Sequence, residues 1–207
     1  MARLVVFDLD GTLVDSLLDL HASVNHALAT AGLEPRSVEE VRGFVGEGAR
    51  RLLERAVGPR TDLLDEVMAA WRVHYEAHLL DRTRPYPGIE AALAGARRTL
   101  AVLTNKPGPM ARRILDGLGM SARFAAVIGG GEAPRKPDPA GLRMLMAGAG
   151  AGSADTVLVG DSRVDVETGH AAGVRVVAVT WGLGHREDLA GADAIVDRAA
   201  ELSPWLS

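Results

Sequence analysis

Short apolar runs of strand length recur along this chain and alternate with segments of helical pattern. The runs cover residues 4–7, 100–103, 125–128, 156–159, 174–179 and 194–196, and they are rich in valine. Helical patterns at 89–100, 111–118, 139–146 and 164–172 lie between the later runs. Apolar runs of this length are typical of strands that are buried on both faces, and alternation with helices indicates parallel pairing. The sequence therefore predicts an α/β protein with a doubly wound parallel sheet.

The alternation is interrupted between the first run and the second, where residues 17–82 have helical patterns alone. Two apolar helix faces are visible there, one formed by Leu17, Leu20, Val24 and Leu28 and the other by Leu64, Met68, Trp71 and Tyr75. Ser37 and Glu40 have the spacing of a capping box. The chain has 207 residues, enough for one domain and an insertion. We predict a Rossmann-like core from 1–15 and 85–207, an all-helical cap from 16–84, and hinges near 15–17 and 84–87.

Composition limits the classes of partner. No apolar run approaches the roughly 18 residues that a membrane span requires, so we expect no membrane contact. The net charge is −4 without a long run of one sign, which argues against nucleic acid as a partner. The chain has no cysteine, so disulfide and thiol chemistry are absent. We expect a cytoplasmic protein, and the sequence leaves its oligomeric state open.

Polar residues follow three of the predicted strands. Asp8 and Asp10 follow the first run, Thr104 follows the second, and Asp161 and Asp165 follow the fourth. The carboxyl ends of parallel strands meet at one edge of the sheet, where ligands bind. Two carboxylates about 5 Å apart repel by roughly 3 kcal/mol at an effective dielectric constant of about 20, so the group requires a cation. Carboxylate ligands suit Mg²⁺. A zinc site would use cysteine or clustered histidine ligands, and this part of the sequence has neither.

These motifs resemble those of the haloacid dehalogenase superfamily of phosphatases. The segment 8–16, Asp-Leu-Asp-Gly-Thr-Leu-Val-Asp-Ser, is similar to the first motif of that superfamily. Thr104 resembles the second motif, Lys136 the third, and the segment 160–165 the fourth. All four occur in the order of the family and span essentially the whole chain. The resemblance implies a phosphatase that works through a phosphorylated aspartate.

The resemblance also implies roles for individual residues. Asp8 would be the nucleophile, and Asp10 would protonate the leaving oxygen and then deprotonate water. The implied catalytic residues are Asp8, Asp10, Thr104 and Lys136. The implied phosphate-binding residues are Gly11, Thr104, Asn105 and Lys136. The implied ligands of Mg²⁺ are Asp8, Asp10 through its carbonyl, Asp161 and Asp165.

Within the superfamily the segments 45–49, 104–107 and 129–139 most resemble phosphoglycolate phosphatases. The implied partner is a small phosphorylated metabolite similar to 2-phosphoglycolate. Selectivity would come from the cap, through the loop that holds Glu47 and Arg50. Arg50 lies in the first turn of the predicted helix, where a cation is unfavourable, so we expect it to meet a substrate carboxylate. Glu47 is expected to pair with Arg50 or Arg51 in the open state.

Other functions remain open on the same core. A sugar phosphomutase, a pyrophosphatase and a nucleotidase would each use these motifs. A phosphonatase would need a cap lysine, and residues 16–84 contain none. A phospho-accepting signalling domain also combines acidic residues, threonine and lysine, but it would have about half this length and no cap. Asp10, two residues after Asp8, favours hydrolysis over a stable phosphorylated state.

Lysine is rare in this chain. Of 23 basic residues only Lys106 and Lys136 are lysines, and the others are arginines. Both lysines fall beside the motifs described above. Lys136 belongs to the third motif, whereas we interpret Lys106 as a solvated residue.

Overall fold

A parallel sheet forms the centre of the computed structural model, which describes residues 3–207. The strands of the chain are β1 Leu4–Phe7, β2 Val14–Asp15, β3 Arg84–Pro85, β4 Thr99–Pro107, β5 Ala126–Gly130, β6 Thr156–Gly160, β7 Arg175–Val179 and β8 Ala194–Val196. Six of them pair in parallel in the order β5-β4-β1-β6-β7-β8. Strands β2 and β3 form a separate antiparallel pair. The predicted fold class is confirmed.

Helices cover both faces of this sheet and fill the interval between β2 and β3. They are α1 Leu17–Thr30, α2 Val38–Phe44, α3 Ala49–Val57, α4 Leu64–Ala77, α5 Ile89–Ala94, α6 Gly108–Gly117, α7 Ala140–Gly148, α8 Arg163–Ala172 and α9 Ser203–Leu206. Within residues 3–207, none of these helices has the length and apolar character needed to cross a bilayer.

Strand β1 is buried on both faces, as its uninterrupted apolar sequence predicts. Val5 and Phe7 pack into the core that includes α6, whereas Leu4 and Val6 pack into a second core that includes α7. All four side chains have at most 1% of their surface exposed. Burying each of them fully contributes about 1.5–3 kcal/mol. This burial fixes β1 in the middle of the sheet and sets the position of the residue that follows it.

One predicted helix is too long. The pattern at 89–100 predicts a helix through Leu100, but α5 ends at Ala94. Leu100 is instead the register partner of Val5 in the β1–β4 ladder. Tertiary pairing with β1 therefore overrides the helical pattern at its carboxyl end, and β4 begins at Thr99 and continues to Pro107, well beyond the predicted run 100–103.

The cap segment, which we define as residues 16–84, contains α1 to α4. Helices α1 and α4 pack against each other along the two apolar faces visible in the sequence. Helix α2 begins with the predicted capping box, in which Ser37 and Glu40 bond each other's backbone N–H groups. Asp15 of β2 pairs with Arg84 of β3, so both ends of the segment lie side by side. The domain boundaries themselves stay a prediction.

A buried carboxylate anchors the end of the cap segment. Asp19, in the first turn of α1, is 3% exposed and accepts hydrogen bonds from the backbone N–H groups of Arg82 and Thr83. It also accepts a hydrogen bond of 2.7 Å from the Thr83 hydroxyl. One side chain thus joins the start of the helical segment to the strand by which the chain returns to the sheet.

Removing this anchor should destabilise the protein. We expect Asp19→Ala to lower the free energy of unfolding by about 2–3 kcal/mol, because buried donors lose their acceptor. Urea unfolding monitored by circular dichroism measures the change. The matched control is Asp62→Ala, which removes an exposed carboxylate paired with Arg60 and should leave stability essentially unchanged. Equal losses in the two variants would contradict the anchoring role.

Candidate active site

Three buried carboxylates meet beyond the ends of two adjacent central strands. Asp8 directly follows β1, Asp161 directly follows β6, and Asp165 lies in the first turn of α8. Oxygen atoms from the three side chains lie within 4.8 Å of one another, and all three residues are buried. The order of strands in the sequence predicts that these residues meet at one edge of the sheet, and the structure brings them together there.

Glycine at position 11 permits this close arrangement. Gly11 has a φ of +84°, and a Cβ atom built on it would lie 2.1 Å from an oxygen of Asp161. Any other residue would therefore be strained and would displace the carboxylate. The Gly11 N–H donates to the Val14 carbonyl at 3.0 Å, so in this structure it is already engaged. Its predicted contact with phosphate stays a prediction.

Asp161 is surrounded by donors that support its charge. It accepts hydrogen bonds from the Thr12 hydroxyl at 2.9 Å and from the backbone N–H groups of Leu183 and Gly184 at 2.8 and 3.2 Å. Burial and the neighbouring Asp165 raise the pKa of Asp161 above its usual range, while these three hydrogen bonds act in the opposite direction. The donors thus offset part of the penalty for burying the carboxylate.

The buried charge of Asp8 is compensated less completely than that of Asp161. Burial is the main cause that raises the pKa of Asp8 above its usual range; Lys136 lowers it, and Asp165 and Asp161 raise it further. The buried oxygen Oδ1 accepts no hydrogen bond within residues 3–207. The Lys136 Nζ lies 3.0 Å from it, but outside hydrogen-bonding geometry. Because Asp165 shares the same ammonium, the charge of the buried Asp8 carboxylate is only partly balanced, and a further cation would offset the rest.

Lys136 supplies the positive charge among these carboxylates. Its side chain is 2% exposed, and Nζ lies 2.6 Å from Asp165 Oδ1. Burial alone would lower the pKa of Lys136, but Asp165 and Asp8 outweigh it and raise the pKa, so the group stays an ammonium. Three carboxylates and one ammonium leave the cluster negatively charged. Its all-oxygen donor set fits a hard divalent cation such as Mg²⁺.

Asn105 holds Lys136 in place. Its side-chain oxygen accepts the Lys136 N–H at 2.8 Å, and its side-chain nitrogen donates to the carbonyls of Lys136 and Gly46 at 3.0 and 2.9 Å. Thr104, the preceding residue, is 5% exposed. Because the Asn105 side chain is fully engaged, its predicted contact with phosphate would be left to its backbone N–H.

The interpretation of Lys106 as a solvated residue is wrong. Its side chain is 3% exposed, and Nζ lies 2.9 and 3.1 Å from the two carboxylate oxygens of Asp10. Nζ also donates to the Tyr75 hydroxyl at 2.5 Å. Burial alone would lower the pKa of Lys106, but Asp10 and Tyr75 reverse the effect and raise it. The contact with Tyr75 of α4 buries the ammonium, and the sequence gives no sign of that contact.

Asp10 lines a cavity between the sheet edge and the cap segment. Its carboxylate also accepts a hydrogen bond from the Ser16 hydroxyl. The cavity is about 40 Å³, room for roughly three water molecules. Its core side is formed by Asp8, Asp10, Thr104, Asn105, Lys106 and Pro107. Its cap side is formed by Leu20, Val45, Gly46, Gly48, Ala49, Leu52, Trp71 and Tyr75.

The two cap residues suggested for selectivity have other partners in this structure. The backbone of the loop at 45–49 reaches the cavity, as predicted. The Arg50 guanidinium instead contacts Glu54 at 3.1 Å and Asp65 at 3.8 Å, and its side chain is 52% exposed. Glu47 pairs with Arg55 and not with Arg50 or Arg51. Neither Glu47 nor Arg50 is part of the cavity wall, so their selectivity role stays a prediction.

Sequence reasoning missed Tyr75 and Trp71 as site residues. Both belong to the apolar face of α4 that the helical spacing reveals, and their rings stack with centroids 5.1 Å apart. That spacing predicts burial and does not distinguish a core from a cavity wall. Burial raises the pKa of Tyr75 to about 12, so its hydroxyl stays protonated.

Comparison with known proteins agrees with this geometry. The family model described as haloacid dehalogenase-like hydrolase matches residues 5–179. A phosphoglycolate phosphatase of Cereibacter sphaeroides is 45% identical over 191 residues, which are 87% of this chain and 86% of that protein. A phosphoglycolate phosphatase of Rhodospirillum rubrum is 42% identical over 221 residues, covering 100% and 91%.

The same similarity extends to solved structures. The crystal structure of a predicted phosphoglycolate phosphatase from Haemophilus somnus superposes with a TM-score of 0.94 at 32% identity, covering 100% of this chain and 98% of the other. The match includes the sheet edge and the helical segment between β2 and β3. The chain belongs to the haloacid dehalogenase-like hydrolases.

Proposed function

We propose that this protein hydrolyses a small phosphomonoester of the 2-phosphoglycolate type through an aspartyl-phosphate on Asp8, with Mg²⁺ as its cofactor. The observation that carries the proposal is the position of Asp8. It lies at the end of the central strand, beside the ammonium of Lys136, and lines the same cavity as Asp10. A nucleophile and a proton donor thus line one small space, and the ammonium of Lys136 lies directly beside the nucleophile.

In the first step an Asp8 oxygen attacks phosphorus, and the bond between phosphorus and the leaving oxygen breaks. The leaving oxygen takes a proton from Asp10 and departs as an alcohol. In the second step Asp10 takes a proton from water while the water oxygen attacks phosphorus. The Asp8–phosphorus bond breaks, which releases phosphate and restores the Asp8 carboxylate. Asp10 therefore acts first as an acid and then as a base.

The charge of the phosphoryl group requires fixed partners. We assign this role to the Lys136 ammonium, the Thr104 hydroxyl and the backbone of Gly11 and Asn105. Lys136 suits the role because Asn105 bonds its backbone on both sides and two carboxylates hold its Nζ. The ammonium is therefore preorganised before the substrate arrives.

The carboxylates of Asp8 and Asp161 and the Asp10 carbonyl would hold Mg²⁺, with Asp165 in support. The excess of negative charge in the buried cluster, where the ammonium of Lys136 is shared between Asp8 and Asp165, supports this assignment. When bound, Mg²⁺ would neutralise part of that charge and favour the approach of an anionic phosphoryl group.

The size of the cavity favours a small leaving group. A cavity of about 40 Å³ fits a two-carbon alcohol better than a nucleoside or a hexose. A nucleotidase or a sugar phosphomutase on the same core would need more space than this cavity offers, although a neighbouring cavity that shares Val45 and Gly46 with it is larger, about 480 Å³. The names of the relatives, phosphoglycolate phosphatases, point to the same class of substrate.

Replacing the nucleophile should abolish turnover without unfolding the protein. Asp8→Asn keeps the shape of the side chain and removes its charge, so hydrolysis should become undetectable. Thermal stability should be retained or increased, because a poorly compensated buried charge is lost. Asp10→Asn should reduce kcat by roughly 10²–10⁴-fold through loss of proton transfer. Phosphate release measures both effects, with Asp62→Asn as the control, and Asp8→Asn activity within about tenfold of wild type would contradict the mechanism.

Metal dependence offers a second test. Treatment with a chelator should abolish hydrolysis, and Mg²⁺ should restore it. Ca²⁺ should restore it poorly, because its larger and looser shell suits the compact carboxylate cluster less well. Initial rates after dialysis against each ion measure the effect, and circular dichroism checks that the protein stays folded. Equal activity with Ca²⁺ would argue against the proposed ligand set.

Activity should depend on the shape of the cationic group at position 136 as well as on its charge. We expect Lys136→Arg to lose most activity, because a planar guanidinium does not fit between Asp8 and Asp165 at the contacts of 3.0 and 2.6 Å. Steady-state kinetics of purified, folded variants measure the loss, and Arg60→Lys on the surface is the matched control. A Lys136→Arg variant with near wild-type kcat would show that charge alone suffices.

A further inference from the structure

The cavity wall contains a buried donor that the proposed phosphoryl chemistry does not use. Trp71 is 3% exposed, and its indole N–H has no hydrogen-bond acceptor within residues 3–207. Buried donors are nearly always paired, so an unpaired N–H in the wall of a binding cavity indicates an acceptor on the ligand.

Tyr75 supplies a second donor. Lysine nitrogen can only donate, so in the 2.5 Å contact with Lys106 the phenol oxygen is the acceptor. The hydrogen of the phenol is therefore still available to a further acceptor. Tyr75 lies one turn after Trp71 on α4, and the two stacked rings face the same cavity.

Lys106 adds charge to these two donors. Among the described residues that line the cavity, it has the one cationic side chain. Its ammonium contacts both carboxylate oxygens of Asp10 on the core side and the hydroxyl of Tyr75 on the cap side. Lys106 thus lies between the carboxylate of Asp10 and the Tyr75 ring, whose centroid is 4.6 Å from Nζ.

We propose that Lys106, Tyr75 and Trp71 form the binding site for a carboxylate on the leaving group of the substrate, an inference that rests on the proposed phosphatase function. Because Lys106 is already paired with Asp10, a carboxylate with one negative charge is favoured over a second phosphate group, which would bring up to two. The cavity volume of about 40 Å³ also favours a carboxylate that is one or two carbons from the phosphoester oxygen. In this proposal a lysine of the core and two aromatic residues of the cap segment, rather than Arg50, meet the substrate carboxylate.

The same geometry links recognition to proton transfer. Asp10 and the arriving carboxylate share a single ammonium, so binding of the substrate weakens the hold of Lys106 on Asp10. Asp10 is then free to turn toward the leaving oxygen. A neutral leaving group gives no such release, so it should be processed more slowly even when it fits the cavity.

The test compares kcat/KM for 2-phosphoglycolate with kcat/KM for ethyl phosphate, a phosphomonoester of similar size whose leaving group is uncharged. Wild type should prefer 2-phosphoglycolate. Lys106→Met should lower the ratio of the two values about ten- to hundredfold, because a charged hydrogen bond is lost. Tyr75→Phe and Trp71→Phe, which keep an aromatic ring, should each lower it about two- to tenfold. These two milder variants decide the matter if Lys106→Met fails to fold.

Two arginine variants serve as matched controls. Arg51→Ala removes an exposed cap cation and should leave the ratio unchanged within about twofold. Arg50→Ala should do the same, because its guanidinium contacts Glu54 and Asp65. A fall of the ratio in Arg50→Ala but not in the aromatic variants would overturn the proposal.

Different results would refute the carboxylate site and the phosphatase function. Equal losses on both esters in the Lys106, Tyr75 and Trp71 variants would refute the carboxylate site and leave the phosphatase function intact. The proposed function itself would fail if wild type with Mg²⁺ hydrolysed neither ester.

Discussion

The burial of three carboxylates around one ammonium is the constraint on which the rest of the site depends. Unpaired buried charge is strongly destabilising, and neighbouring segments contribute donors to Asp161 and Asp165. Ser162 and Asp165 form a capping box that places Asp165 at the amino-terminal end of α8, where the helix dipole favours negative charge. Two backbone amides and the Thr12 hydroxyl support Asp161. Asp8 receives the least support, and this deficit suits both a nucleophile and a metal ligand.

The extended strand β4 connects this cluster to the cap segment. Three consecutive residues near its end contact different partners. Thr104 lines the cavity, Asn105 bonds Lys136 and the Gly46 carbonyl, and Lys106 joins Asp10 to Tyr75. These contacts arise from one stretch of backbone. A movement of the cap segment at Gly46 or Tyr75 would therefore shift Asn105 or Lys106, and with them the contacts to Lys136 and Asp10. These contacts therefore connect the cap segment directly to the residues around Asp10 and Lys136.

The sequence predicts those parts of the protein that depend on local pattern and strand order. Buried strands and the polar residues that follow them identify Asp8, Asp161 and the fold class, and the capping box at Ser37 is confirmed. Local pattern fails where tertiary contact decides. Leu100 has helical spacing but pairs with β1, and the apolar spacing of Trp71 and Tyr75 on α4 is the same for a core as for a cavity wall. Contacts between segments that are distant in the sequence can be identified only in the three-dimensional structure.

Composition nevertheless carried a signal that the local patterns did not. The chain uses arginine at all but two of its 23 basic positions, and both exceptions are buried ammonium groups in the site. Arginine presents a planar fork that suits exposed bidentate pairs such as Arg60 with Asp62. A compact ammonium can contact carboxylates from different directions, as Lys136 does with Asp8 and Asp165. Lys106 similarly contacts Asp10 and the Tyr75 hydroxyl. The two residues of the rare type are therefore the two buried ammonium groups that contact carboxylates at this edge of the sheet.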